Sequence, residues 1–180
     1  MKRFDSGSLA PGVRRAVQTL TLIMLAGAAT LAAAQVVPVD PDWRESEAPP
    51  PPAPLASRMI PLDMPGSSLR FGVDAASVSV GRDGVVRYVV LAIGTGGAMN
   101  AIYEGVRCST AEVKVYARHS AAGGWVATPT AEWQRLHEVA HSRHSLVIAR
   151  NGACVGHGAA GTAADIVRNL KEGPDRRFVQ

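Results

Sequence analysis

Hydrophobic and polar positions along this 180-residue chain change rhythm several times. A nearly unbroken apolar stretch runs from Val17 to Leu31, and residues 35–65 hold most of the prolines with little that can fill a core. From Leu69 the pattern becomes short apolar runs separated by turn residues: LRFGVD, ASVSVGRDGVVRYVVLAI, AMNAIYEGVRC and EVKVYARH. Runs of this length, rich in Val, Ile and Tyr and bounded by Gly and Asp, predict successive antiparallel strands. Arg82-Asp83-Gly84 and Gly94–Gly97 are the expected hairpin turns. The glycine cluster lacks the GK[ST] ending of a phosphate-cradling loop and no helical pattern follows it, so the turn reading stands.

Beyond position 128 the spacing becomes helical. Thr128-Pro129 offers an N-cap with proline at the first helical position, and Glu132 suits the positive helix end, which predicts a helix from Ala131 to about Ser142. A short segment through Leu146–Ala149 leads into Asn151-Gly152 and Cys154, and Thr162–Lys171 predicts a capped last helix ending at Gly173-Pro174. The expected fold class is α+β: an antiparallel β-meander of about five strands with two or three short C-terminal helices and one disulfide. Residues 66–180 form the expected single domain, of which about 110 residues from Leu69 onwards suffice for one modest core. Residues 35–65 are the expected extended, polyproline-like arm, with Trp43 able to pin it to the domain.

A four-residue turn at Gly94–Gly97 fixes a register in which Val89 lies opposite Ile102, Tyr88 opposite Tyr103 and Arg87 opposite Glu104. The charged residues of the two apolar runs then face each other as a structural ion pair, Arg87–Glu104. A shift of one residue would send the two side chains to opposite faces of the sheet.

The N-terminal stretch changes the picture of location and charge. Lys2, Arg3, Arg14 and Arg15 precede the apolar segment, and Ala32-Ala33-Ala34 closes it, the layout of a secretory signal peptide (1–34) cleaved after Ala34. An uncleaved anchor is disfavoured because Gln18, Thr19 and Thr21 shorten the apolar core below the ~20 residues of a membrane span. Arg14-Arg15 lacks twin-arginine flanks, and no cysteine follows to carry a lipid. The chain's 19 basic and 15 acidic residues lose four and one respectively on cleavage, leaving 15 against 14. The high pI therefore belongs largely to the targeting segment and gives no reason to expect a nucleic-acid partner. The expectation is a periplasmic protein with no stable membrane span and an envelope component as its partner.

Both cysteines, Cys108 and Cys154, lie in the mature part, and an even count in an oxidising compartment predicts one disulfide tying the sheet to the C-terminal layer. A nucleophilic or redox thiol has no CxxC or Cys-His context to support it.

One short motif invites a catalytic reading. In LHEVAHSRH, His137-Glu138-x-x-His141 has the spacing by which a helix offers two imidazoles to zinc and a carboxylate to the metal-bound water. On an ideal helix His137, His141 and His144 fall within about 60° of one another, so three imidazoles share a face. Leu136, Val139, Ala140 and Val147 centre roughly 120° away, which turns the histidines from the core. A zincin requires the reverse, with histidines on a cleft floor and a third ligand; the extended signature's glycine and third histidine are replaced by His144 and Val147, which leaves Glu172 as a candidate third ligand. Two readings follow: a zinc hydrolase with Glu138 as base, and a metal-binding cluster of His137, His141 and His144 without chemistry. The favoured expectation has neither catalytic residues nor a cofactor.

Ser77-Val78-Ser79-Val80, Asp83–Tyr88, Asn100, Tyr103–Cys108, Lys114 and Tyr116-Ala117, with Trp125, Trp133 and the second cysteine downstream, together span most of the mature domain. In these residues the chain resembles the CNP-one-like (CNP1-like) family of uncharacterised exported proteins from Gram-negative bacteria. The resemblance implies an envelope location and carries no catalytic residues. The HExxH stretch is no part of it. The expected function is a non-enzymatic binding or structural role.

Overall fold

The structure is a computed structural model that describes residues 40–120, 123–138 and 143–173. The signal segment and its cleavage position lie outside these residues, as does His141. Eight antiparallel strands form the main sheet: β1 (Met59–Pro61), β2 (Arg70–Asp74), β3 (Ser79–Val80), β4 (Val86–Ile93), β5 (Met99–Arg107), β6 (Glu112–Ser120), β7 (Gly124–Ala127) and β8 (Gln134–Arg135). The principal order is β1-β2-β4-β5-β6-β7, with β3 paired to β4 and β8 to β6. After α1 (Arg143–Ile148) and a π-helical turn, β9 (Cys154–Val155) and β10 (Gly158–Ala159) make a two-stranded ribbon, and α2 (Ala163–Glu172) ends the described chain. The antiparallel sheet, the short helices and the disulfide match expectation, but the described residues form ten strands rather than about five. The additional ones are two to four residues long, too short to show an alternation that a pattern reading detects.

Strand β4 is buried along its whole length, as befits a strand covered on both faces. Val86, Tyr88 and Val90 join Val106, Leu136, Ile148, Ile166 and Leu170 in the core beneath the helical layer. Val89 and Leu91 face the other way, joining Ala101, Tyr103 and Ala117 in a second cluster that Ala48 of the arm helps to cover. The proline-rich stretch is thus packed onto the sheet, and its last part supplies edge strand β1, with Ile60 opposite Val73.

The register differs from the expected one by one residue: Arg87 pairs with Gly105, Tyr88 with Glu104 and Val89 with Tyr103. The turn is the reason. Gly97 N–H donates to Gly94 O (3.0 Å), Gly94 N–H donates to Ala98 O (2.9 Å), and Gly97 has φ +84°. That is a type I turn followed by a left-handed residue, the three-residue hairpin, which a glycine at position 97 makes free of strain. The Arg82-Asp83-Gly84 loop repeats this geometry as expected. The consequence for the proposed Arg87–Glu104 ion pair is decisive, since the two side chains project from opposite faces of the sheet.

The helix expected over Ala131–Ser142 is also corrected. Residues 131–133 are irregular, Gln134–Arg135 is strand and 136–138 is a turn. Leu136 N–H donates to Ala111 O (2.9 Å), and the Leu136 side chain is buried in the main core. Pairing with the start of β6, Glu112 opposite Arg135 and Val113 opposite Gln134, therefore outcompetes the local helical propensity, a weak prior when tertiary partners are at hand. The last helix keeps its expected form: Thr162 caps Asp165 N–H and Asp165 caps Thr162 N–H, a reciprocal capping box.

Cys108 and Cys154 form the disulfide, with Cα atoms 5.6 Å apart. It joins the end of β5 to the C-terminal ribbon.

Candidate functional site

The displaced register gives each charged residue its own surroundings. Glu104 is fully buried under the helical layer, accepting from Ser145 Oγ–H (2.7 Å) and lying 3.2 Å from His144 Nε2. The His144 ring stacks on Phe71 at 5.4 Å, and Tyr88 pairs across the strands with Glu104. Burial first, then the Glu104 carboxylate, push the Tyr88 phenol well above its ordinary range, so it stays protonated. Ser145 and His144 both engage Glu104, whereas a nucleophile–base–orienter chain would need serine on histidine. These groups are all buried, and their arrangement is that of a core network that fixes the helical layer on the sheet.

His144 therefore leaves the histidine cluster expected from its spacing: it is 3% exposed, against a His137 side chain at 62%. His137 and Glu138 stand exposed in a turn, not on a helix, so the geometry that made HExxH a zinc motif is missing from its described part. Among the described residues no three His, Cys, Asp or Glu side chains converge as a metal set.

Arg87 lies on the opposite face. Its guanidinium holds Asp83 through two hydrogen bonds (3.2 and 2.7 Å) and donates to Ser46 O of the arm (3.1 Å). Burial alone would raise the Asp83 pKa, but Arg87 and the backbone N–H groups of Ser46 and Val85 outweigh it and hold the carboxyl below its ordinary range. Asp83 thus links its own hairpin, the sheet and the arm.

Beside this pair the arm inserts Glu45 among donors. Lys114 Nζ (2.9 Å), Tyr116 Oη–H (2.8 Å) and Trp133 Nε1–H (3.1 Å) all donate to its carboxylate, and Arg87 Nη2 stands 4.0 Å away. Burial pushes the Glu45 pKa up, yet the hydrogen bonds from Lys114, Tyr116 and Trp133 prevail and keep it lowered. The donor set depends on a bulge in β6. Tyr103 pairs with Ala117 and Glu104 with Val115, so Tyr116 is the extra residue and its ring swings to the arm side next to Lys114. Position 105 must be glycine for this to work, because a Cβ there would meet the Tyr116 ring and hydroxyl at 3.0 Å and Val85 closer still.

Trp43 completes the contact. Its Nε1–H donates to Asp83 O (2.9 Å), its ring meets Trp133 edge-on at 6.0 Å, and the Arg107 guanidinium sits over it at 4.2 Å. Arg107 is itself held by Glu112 (2.8 Å) and Thr110. A cleft of about 250 Å³ opens beside Trp43, lined in part by Asp40, Asp83, Arg107 and His157. Farther along, Trp125 Nε1–H donates to Pro52 O, and buried Asp74 accepts from Leu55 N–H and Arg58.

Trp43 is where the sequence placed it, as the pin of the arm. Glu45 went unrecognised, although a charged W-R-E-S segment ahead of a proline run was a visible signal. Lys114, Tyr116 and Trp133 entered only through resemblance, since nothing in their spacing reveals that a bulge unites them. The CNP1-like family model matches residues 39–171, a span that includes this arm segment together with the sheet. No curated protein and no solved structure matches the chain.

Proposed function

The chain belongs to the CNP1-like family, and from that premise we propose that it is an exported periplasmic or envelope protein with a binding or structural role and no catalysis. The observation that carries the reading is the Cys108–Cys154 bridge, because a lasting structural disulfide belongs to an oxidising compartment. The signal-like residues 1–34 support it independently. The non-catalytic part rests on how the charged groups are used: Asp74 by Arg58, Asp83 by Arg87, and Glu104 by His144 and Ser145. Groups engaged in this way hold a fold together, whereas a catalytic acid or base is aimed at a substrate.

Expression of the full chain in a Gram-negative host, followed by fractionation, mass measurement and thiol alkylation, tests this. The expected product starts at Gln35, appears in the periplasmic fraction, resists alkylation until reduced and carries no stoichiometric zinc. A full-length cytosolic product with free thiols would overturn the export reading. One zinc per chain, lost with His137→Ala, together with a peptide-cleaving activity lost with Glu138→Gln, would replace the non-catalytic reading by the zinc-hydrolase one.

A further inference from the structure

The arm's grip on the sheet has the form of a peptide on a receptor. Residues 40–58 form no strand ladder; the segment Trp43–Ser46 is held by side chains of the sheet and by single backbone hydrogen bonds. It inserts one aromatic side chain against Arg107 and Trp133 and one carboxylate among Lys114, Tyr116 and Trp133. We propose that this cradle is a binding site for an acidic, tryptophan-bearing peptide segment of a partner protein, and that Trp43–Ser46 occupies it in cis as a built-in competitor.

Charge sets the partner's chemistry. Arg87 is neutralised by Asp83 and Arg107 by Glu112, so withdrawal of the arm leaves the Lys114 ammonium as the cation without a counter-charge at the cradle. The site then calls for one carboxylate, presented to Lys114, Tyr116 and Trp133. The arm does not exhaust the donors on offer: Arg87 Nε–H is buried without a hydrogen-bond partner, and Arg87 Nη2 stays 4.0 Å from the Glu45 carboxylate. The cleft of about 250 Å³ beside Trp43 leaves room for a larger or differently seated aromatic group.

The tether explains why a competitor is useful. Pro49–Pro52 and Pro54 keep the connection to β1 extended, so the arm stays close to its site at an effective concentration of order mM for a short linker. A partner must then bind well enough to displace it, which screens out weak acidic peptides.

This inference deepens the binding role proposed above and rests on it, but its test is independent of where the protein resides. A fluorescent peptide of residues 40–48 is titrated against the full chain and against the full chain carrying Trp43→Ala and Glu45→Gln, with anisotropy as the readout. The double variant is expected to bind at least tenfold more tightly than the unaltered chain. A peptide with Gln in place of Glu45 is expected to lose at least tenfold in affinity, as is a receptor that also carries Lys114→Met. If circular dichroism shows the double variant unfolded, Glu45→Gln alone carries the same comparison. Absence of saturable binding to a folded variant, or equal binding of the Gln peptide, would overturn the proposal. A concentration-dependent dimer of the unaltered chain that Trp43→Ala abolishes would also overturn it, by making a second copy's arm the occupant.

Discussion

Replacement of Glu104 by alanine is expected to lower the stability of the domain by about 3–5 kcal/mol, because it leaves two buried polar groups without their partner, at ~1–3 kcal/mol each, and opens a cavity beside them. Glu104 is fully buried, and it serves His144 on one oxygen and the Ser145 hydroxyl on the other. Its loss strands both groups beneath α1 and leaves a void in a region where Tyr88, Val106 and Ile148 are already close-packed. Glu104→Gln preserves volume and part of the hydrogen bonding, so its expected cost is smaller, about 1–2 kcal/mol. Urea denaturation of the two variants beside the unaltered chain measures the difference directly. A loss below about 1 kcal/mol for the alanine variant would contradict the buried network.

The second large effect concerns the cysteines. Cys108 and Cys154 close a loop with a sequence separation of 46, for which the chain-entropy model gives roughly 4 kcal/mol of stabilisation. The bridge anchors the ribbon and, through it, the approach to α2, whose Ile166 and Leu170 are core residues. The double variant Cys108→Ser/Cys154→Ser is expected to melt far below the oxidised chain, and a reductant is expected to leave the variant's melting temperature unchanged while lowering that of the parent. Equal melting temperatures for variant and oxidised parent would show that the bridge adds nothing to the fold.

These effects trace to features of unequal visibility in the sequence. The long strands β4, β5 and β6 announce themselves through runs of Val, Ile and Tyr, and α2 through its reciprocal cap. Cys108 and Cys154 need only the compartment argument. The register did not follow from the same residues, because Gly94-Thr95-Gly96-Gly97 accommodates either a four-residue loop or a three-residue one. A single left-handed glycine chooses between them, and the choice sends Arg87 and Glu104 to opposite faces.

Histidine spacing misled for a related reason. His137, His141 and His144 share a face only if residues 136–144 are one helix, but Leu136 is drawn into the core beside Ala111 and the described part of the segment turns instead. His144 then reaches Glu104, a partner 40 residues away in sequence. The cradle was hidden more deeply, since Glu45, Lys114, Tyr116 and Trp133 come from the arm, a bulged strand and an irregular segment. Composition marked the arm as a spacer. Trp43 was the one legible pin, and only the side-chain contacts reveal that Glu45 joins it in making the arm part of the domain.

Hydrogen exchange at one backbone amide tests most directly whether Trp43–Ser46 is docked on the sheet. Ser46 N–H donates to buried Asp83 Oδ2 at 2.9 Å, so in the native chain at neutral pH it is expected to exchange about a hundredfold more slowly than in a free peptide of residues 40–48. Glu45→Gln is expected to erase most of that protection while the amides of β4 keep theirs. Exchange of the Ser46 amide at the free-peptide rate in the unaltered chain would contradict the docked arm and, with it, the cradle.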